Sequence, residues 1–132
     1  MTTLQGSNFK LRPFSQLDAI PLVSLMNTKS IAKYTTIDLP WKIETSKWWI
    51  SFITDAALRK PLPEIHFVID IDGYIAGALG IINIDGHKSE IGYWMADEYM
   101  SKGIMTEAVG IVTEYGLNNL KLKRIFAPVL TF

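Results

Sequence analysis

The chain contains no cysteine. That one absence removes disulfide staples, thiolate metal sites and cysteine nucleophiles together. Histidine is scarce as well. His66 and His87 are too few for a histidine-built centre, so no metal site is expected. Neither sign of charge is in excess: thirteen basic and thirteen acidic residues cancel, with an isoelectric point near 6.7. Such a balance leaves no electrostatic footprint for general nucleic-acid binding. The opening "MTTLQGSNFKLRPF" has no apolar run of signal-peptide length, and no later run approaches a membrane span. Low-complexity tracts, charge blocks and internal repeats are also missing. These absences point to a soluble, cytoplasmic protein with neither nucleic acid nor membrane among its partners.

Apolar material, by contrast, is plentiful. Hydrophobic residues make up 48% of the 132, with four Trp, five Tyr and six Phe. That is enough for one core in a single domain over 1–132. "FKLRPF" (Phe9 to Phe14) alternates apolar and polar residues and reads as a strand closed by Pro13. "SQLDAIPLVSLMN" reads as a helix, with Ser15 and Asp18 at capping-box spacing and Pro21 tolerated if the main helix starts after one irregular turn. A second helix is predicted over Glu44–Arg59. Its apolar face takes Trp49, Ile53 and Ala56, with Trp48 and Phe52 beside them.

The middle of the chain is β. In "HFVIDIDGYIAGALGIINIDGHKSEIGYWMA", "DIDG" and "DG" separate runs rich in β-branched residues. Asp-Gly between such runs signals hairpins, because glycine supplies positive φ at no steric cost. Antiparallel strands are predicted over Ile65–Ile71, Tyr74–Ile84 and Ser89–Met95. "DIDG" lacks the remaining ligands of a calcium loop, so turn chemistry is the better reading. A third helix should run from Met105 to Asn118, with Ile104, Ala108, Ile111 and Tyr115 on one stripe. "KRIFAPVLTF" then reads as a strand parallel to the one before the loop, giving a βαβ crossover.

Between strand and helix lies "EYMSKGIMTEAV" (Glu98 to Val109). The turn from strand to helix in a βαβ unit exposes the first backbone N–H groups of the helix, which favour an anion. Ser101 and Gly103 are small enough to let phosphate reach the backbone. Lys102 adds positive charge and the Thr106 hydroxyl a further donor. On these residues alone an ordinary helix start is an equal reading. The spacing fits neither the P-loop nor the three-glycine dinucleotide fingerprint.

The longer run "SEIGYWMADEYMSKGIMTEAV", with "LKRIFAPVLTF" behind it and "HFVIDIDGYIAGALGI" before it, closely resembles the GNAT (Gcn5-related) N-acetyltransferases. "FKLRPFSQLDA" and "LPWKIETSKWWI" narrow the likeness to the branch that acetylates ribosomal-protein N-termini, the RimJ/RimL-like proteins. The resemblance implies an α/β (α+β) fold of GNAT type, a mixed, mostly antiparallel sheet flanked by helices. It implies acetyl-CoA as co-substrate and a primary amine as acceptor, on a protein N-terminus or a small molecule. Residue by residue, Met100, Ser101, Lys102, Gly103, Ile104, Met105 and Thr106 would surround the pyrophosphate. Trp94 and Met95 would pair with the pantetheine arm, and a main-chain N–H near Tyr93 would face the thioester oxygen. Glu90, on the strand before the loop, is the candidate general base, taking the ammonium proton directly or through water; its bland reading is an edge residue paired to Lys88. Tyr34 and Trp41 would receive the acceptor or serve as core aromatics, whereas Trp48 and Trp49 read as core. His87 and His66 are bases in principle, but His87 beside Gly86 reads better as a turn residue and His66 at a strand start as surface.

This sequence departs from the family loop at both ends, with Met100 where Gln or Arg is usual and Met105 where Gly or Ala is usual. Family members also continue past "RIFAPVLTF" with a further helix and closing strands. The likeness therefore implies a domain incomplete at its C-terminus, with no residue for the general acid and a sheet edge that a homodimer could cover. The rival to an active enzyme is a CoA-binding or interaction module without turnover.

Overall fold

The computed structural model describes residues 2–28, 41–86 and 88–126. Within them, strands pair in chain order: β1 (Leu4–Gln5), β2 (Lys10–Arg12), β3 (Ile65–Ile71), β4 (Tyr74–Asp85), β5 (Lys88–Met95) and β6 (Arg124–Phe126). All neighbours are antiparallel except β5 and β6, which run parallel with Lys88 opposite Arg124 and Glu90 opposite Phe126. Helices α1 (Ala19–Met26) and α2 (Ile43–Ala56) connect β2 to β3, and α3 (Ile104–Asn118) connects β5 to β6.

Alternation along each strand sends side chains to opposite faces, so the sheet carries two cores. Phe67, Ile69, Leu79 and Ile81 pack with Met105, Ala108 and Val112 of α3. Val68 and Ala78 pack with Leu22 and Met26 of α1 and Ile50 and Ile53 of α2. Ile69 pairs with Gly77 but Asp70 pairs with Ile75, which leaves Ala76 as an extra residue. This bulge reverses the alternation, so that Ile75 joins the core beneath α1 and α2 while Ala76 joins the one beneath α3.

The GNAT-type mixed sheet is as expected, and β3 has its predicted bounds. β4 reaches Asp85, β5 starts at Lys88 and α3 at Ile104, each one residue beyond prediction. The first strand is shorter, Lys10–Arg12, and β1 was not foreseen. At the end of β3, Asp72 and Gly73 both have positive φ, and Asp70 Oδ1 accepts the Gly73 N–H at 2.8 Å, which is turn chemistry.

Two helix faces need correction. α2 stops at Ala56, and its buried residues are Ser46, Ile50, Ile53 and Ala56. Trp48 is not core. It is 64% exposed and stacks on Phe52, centroids 5.4 Å apart. On α3 the buried line is Met105, Ala108, Val112 and Gly116, and the predicted stripe of Ile104, Ile111 and Tyr115 flanks it half-buried. Gly116 explains the offset: a Cβ there would stand 2.6 Å from Ile125 and 2.9 Å from Ile81, so the helix sits close on the sheet through a residue with no apolar signature.

The start of α1 is fixed by charge. Ser15 and Asp18 form the expected capping box around a 3₁₀ turn, Gln16–Asp18, and Pro21 falls in the first turn of α1. Arg12 donates to both Asp18 oxygens at 2.9 and 3.0 Å and to Asp70 at 2.7 Å. The hydrogen bond to Asp18, outweighing burial and aided by Asp70, raises the guanidinium pKa further. Burial pushes the Asp70 carboxyl up, but Arg12 and the Gly73 N–H more than offset it and hold it below its ordinary range.

Removing one partner leaves buried charge uncompensated. Arg12→Met should therefore cost on the order of 3 kcal/mol in urea unfolding at pH 7. Because the folded Asp70 pKa is depressed, its contribution is complete above the unfolded value and is lost as pH falls through the folded one. Wild type should accordingly lose more stability below pH ~4 than Asp70→Asn does. Parallel acid limbs for the two proteins would refute the assignment.

Candidate functional site

Above β4 and β5, on the face covered by α1 and α2, lies a cleft of about 280 Å³. Leu22 and Met26 of α1 wall one side, and Thr45 of α2 borders it. All four tryptophans of the chain, Trp41, Trp48, Trp49 and Trp94, line it. Trp41 is held hard: its indole N–H donates to the fully buried Ser46 hydroxyl at 2.6 Å, and Asn27 bonds both its backbone N–H and its carbonyl. It is thus both a core aromatic and a cleft wall. Tyr34, its expected companion, lies outside the described residues, as does His87.

The floor is shaped by missing side chains. His66, Gly80 and Gly92 form one row across β3, β4 and β5. A Cβ on Gly80 would lie 2.6 Å from His66 Nδ1, and one on Gly92 would lie 3.1 Å from Ile82. The His66 ring therefore leans over Gly80, and Trp49 meets it edge-on at 5.4 Å. The surface reading of His66 is overturned: its side chain is only 15% exposed, because the glycine gives it room and α2 covers it. Burial lowers the imidazole pKa from its usual 6.5, with Glu64 opposing in part. A neutral ring beside a carboxylate donates from Nε2, so the 3.2 Å contact to Glu64 Oε1 leaves Nδ1 unprotonated.

Glu90 shares the cleft's face of β5 with Gly92 and Trp94, opposite Ile82. It sits one step beyond the cleft lining. Its carboxylate accepts from the Asn83 side-chain amide, not from Lys88. Tyr93 borders the cleft, while its ring packs toward α3, where burial raises the phenol pKa.

At the other end of β5 the chain makes a 3₁₀ turn, Asp97–Tyr99, and enters the loop. Ser101 and Gly103 have positive φ, 62° and 77°, and Gly103 caps α3 in the left-handed region with no side-chain bond to the helix. Nothing lies within 4 Å of where a Gly103 Cβ would be, so the glycine answers a backbone demand and leaves open space before the helix. That space is a depression of about 300 Å³ bounded by Met95, Tyr99 and the run 101–106. The first intrahelical bond shown at the cap, Glu107 N–H to the Gly103 carbonyl, leaves the N–H groups of Ile104, Met105 and Thr106 as orphan donors. The Met105 side chain turns into the core, and Met100 packs against it, so these two offer the depression little beyond main chain. Glu107 is engaged by Ser7, through its N–H at 2.8 Å and its hydroxyl at 2.7 Å.

β5 joins the two places. Trp94 lines the cleft, and the next residue, Met95, bounds the depression at α3. Among the described residues, the pairing of β5 with β6 covers Lys88, Ser89 and Glu90.

The architecture is thus a mixed sheet between helices, in which β5 runs from the cleft to the depression at the N-terminus of α3. The sequence profile of the acetyltransferase (GNAT) domain matches residues 8–132, and the chain belongs to that family. It is an N-acetyltransferase domain. An uncharacterized N-acetyltransferase, p20 of Bacillus licheniformis, is 28% identical over 131 residues, covering 98% of this chain and 74% of that protein. The spermidine N(1)-acetyltransferase of Escherichia coli (strain K12) is 27% identical over 124 residues, 91% of this chain and 63% of that protein. Among solved structures, RimL, a ribosomal L7/L12 α-N-protein acetyltransferase in complex with coenzyme A, superposes with a TM-score of 0.82 at 15% identity, over 96% of this chain and 73% of that one. Mycobacterium smegmatis RimJ, in complex with CoA-disulfide, gives 0.77 at 24% identity, over 97% and 66%. The likeness to these two is one of fold. No helix among the described residues is long and apolar enough to cross a membrane.

Proposed function

We propose that the domain binds acetyl-CoA along β5, with its pyrophosphate on the first turn of α3, and passes the acetyl group to a primary amine in the tryptophan-lined cleft. The continuity of β5 between cleft and depression carries this reading. A thioester held beside the strand would meet the amine on one side while its phosphates rest on the helix.

Each residue then has a physical task. The N–H groups of 104–106, reinforced by roughly half a positive charge from the helix dipole, take the phosphate oxygens. Ser101 and Gly103 leave the approach clear, Met100 leads the chain into the loop, Lys102 adds charge and Thr106 adds a hydroxyl. Main-chain groups of Trp94 and Met95 pair with the pantetheine amides, and an N–H near Tyr93 takes the thioester oxygen as it becomes an oxyanion. Glu90 accepts the ammonium proton through water. The neutral nitrogen attacks the carbonyl carbon and forms the C–N bond. It sheds its second proton, and the C–S bond breaks. The sulfur leaves as thiolate and is protonated, so amine and thioester become amide and thiol. Trp41 and Tyr34 stand on the acceptor side. The acceptor is a protein N-terminus or a small-molecule amine, and the named activities of the spermidine enzyme and RimL support that range.

Calorimetric titration of acetyl-CoA into the 132-residue chain should give micromolar binding that Gly103→Glu abolishes, since a carboxylate would then stand where phosphate rests. A folded wild type that takes up no acetyl-CoA would sink the reading, and binding without acetylation of any amine would leave only a CoA-binding module. Glu90→Gln should lower kcat by about 10²-fold with unchanged acetyl-CoA affinity. If His66→Gln has that effect and Glu90→Gln does not, the base is the buried imidazole instead.

A further inference from the structure

The proposed acceptor cleft has a composition that narrows its ligand, and this inference rests on the reading above. Every tryptophan of the chain is spent on it. Trp41 is buried at its base, whereas Trp48 stands 64% exposed at its rim, stacked on Phe52. The Trp48–Phe52 pair is thus aromatic surface available at the mouth of the cleft. Between these two levels the walls are Leu22, Met26, Ala78 and Ile82. Among the described lining residues none is an acid, a lysine or an arginine, and Thr45 and His66 bring a hydroxyl and an imidazole beside the aromatic residues. His66 is neutral, with its charged neighbour Glu64 behind it.

Such a cleft gains from burying apolar surface and from indole faces set against a single ammonium. Among the described lining residues, with Glu90 one step beyond them assigned to the reacting nitrogen, nothing neutralises a second or third ammonium, whose desolvation would go uncompensated there. A volume of about 280 Å³ suits a group the size of one large side chain. We propose that the acceptor is a monoamine carrying a large aromatic or branched aliphatic group close to its nitrogen, and that a polyamine is discriminated against. Two sources share that chemistry: a peptide whose first residue is large and apolar, and a free arylalkylamine.

Because all four tryptophans line the cleft, their fluorescence reports its occupancy without turnover. The 132-residue chain would be titrated, with and without saturating CoA, with 2-phenylethylamine, a Phe-initiated peptide, a Ser-initiated peptide and spermidine. Saturable emission changes are expected for the first two at concentrations at least tenfold below those needed for the last two, and whichever of the first two binds more tightly identifies the source. Trp48→Ala should weaken the apolar amines at least fivefold and leave calorimetric CoA affinity unchanged. Spermidine or the Ser-initiated peptide binding as tightly as the apolar amines overturns the inference, as does a Trp48→Ala protein that binds those amines like wild type. CoA binding with no response to apolar amines defeats this inference alone. An amine response without CoA binding defeats the transferase reading and leaves the ligand class intact.

Discussion

The arrangement of the cleft depends on one guanidinium. Arg12 leaves β2, crosses to Asp70 on β3 and grips both oxygens of Asp18 at the turn into α1. Asp18 at the same time caps the Ser15 N–H. A strand, its neighbour and a helix start are thus tied at a single planar group whose fork geometry tolerates little displacement. α1 has only eight residues and a broadly apolar sequence, too short to hold a position by propensity alone. With its start fixed, Leu22 and Met26 lie over Val68 and Ala78 and become walls of the cleft.

Glycine does two different jobs around the site. At Gly80 and Gly116 the constraint is space: a side chain would collide with His66 in one case and with Ile125 and Ile81 in the other. At Gly103 the surroundings are empty and the constraint is φ. The distinction bears on function. A glycine required by crowding closes a core, whereas one required by backbone conformation beside empty space leaves helix N–H groups reachable from solvent. By residue type alone, Gly103 reads as small for the sake of a ligand. The chain needs it first for the turn, and the accessible backbone follows from the same geometry.

Much of the sheet was legible because β-branched runs bounded by Asp-Gly admit few alternatives, and β3 through β5 came within a residue of prediction. The loop and α3 were readable for the same reason of local pattern. What escaped depended on partners distant in sequence or on residues without an apolar signature. Ser46 occupies a core position of α2 because the Trp41 indole bonds it, and hydrophobic spacing registers neither. Gly116 shifted the buried stripe of α3. Trp48 looked like core by residue type but faces outward beside Phe52. His66 looked like surface by its place at a strand start and is buried because Gly80, its cross-strand partner, has no side chain. The bulge at Ala76 is likewise set by pairing with β3, which no single strand's pattern records.

These misreadings concentrate where α2 meets the sheet, and that is physically coherent. A core helix optimised only for burial would place Trp48 inward and an aliphatic residue at 46. Here the helix gives one core position to a hydroxyl whose hydrogen bond locks Trp41, and it leaves the Trp48 indole largely in solvent. The neutral His66 completes the pattern, since its protonation would put a charge into a lining that has no counter-ion among the described residues apart from Glu64 behind it. The described lining of the cleft thus combines indole and aliphatic surface with no formally charged side chain, which is the property the proposed acceptor would use.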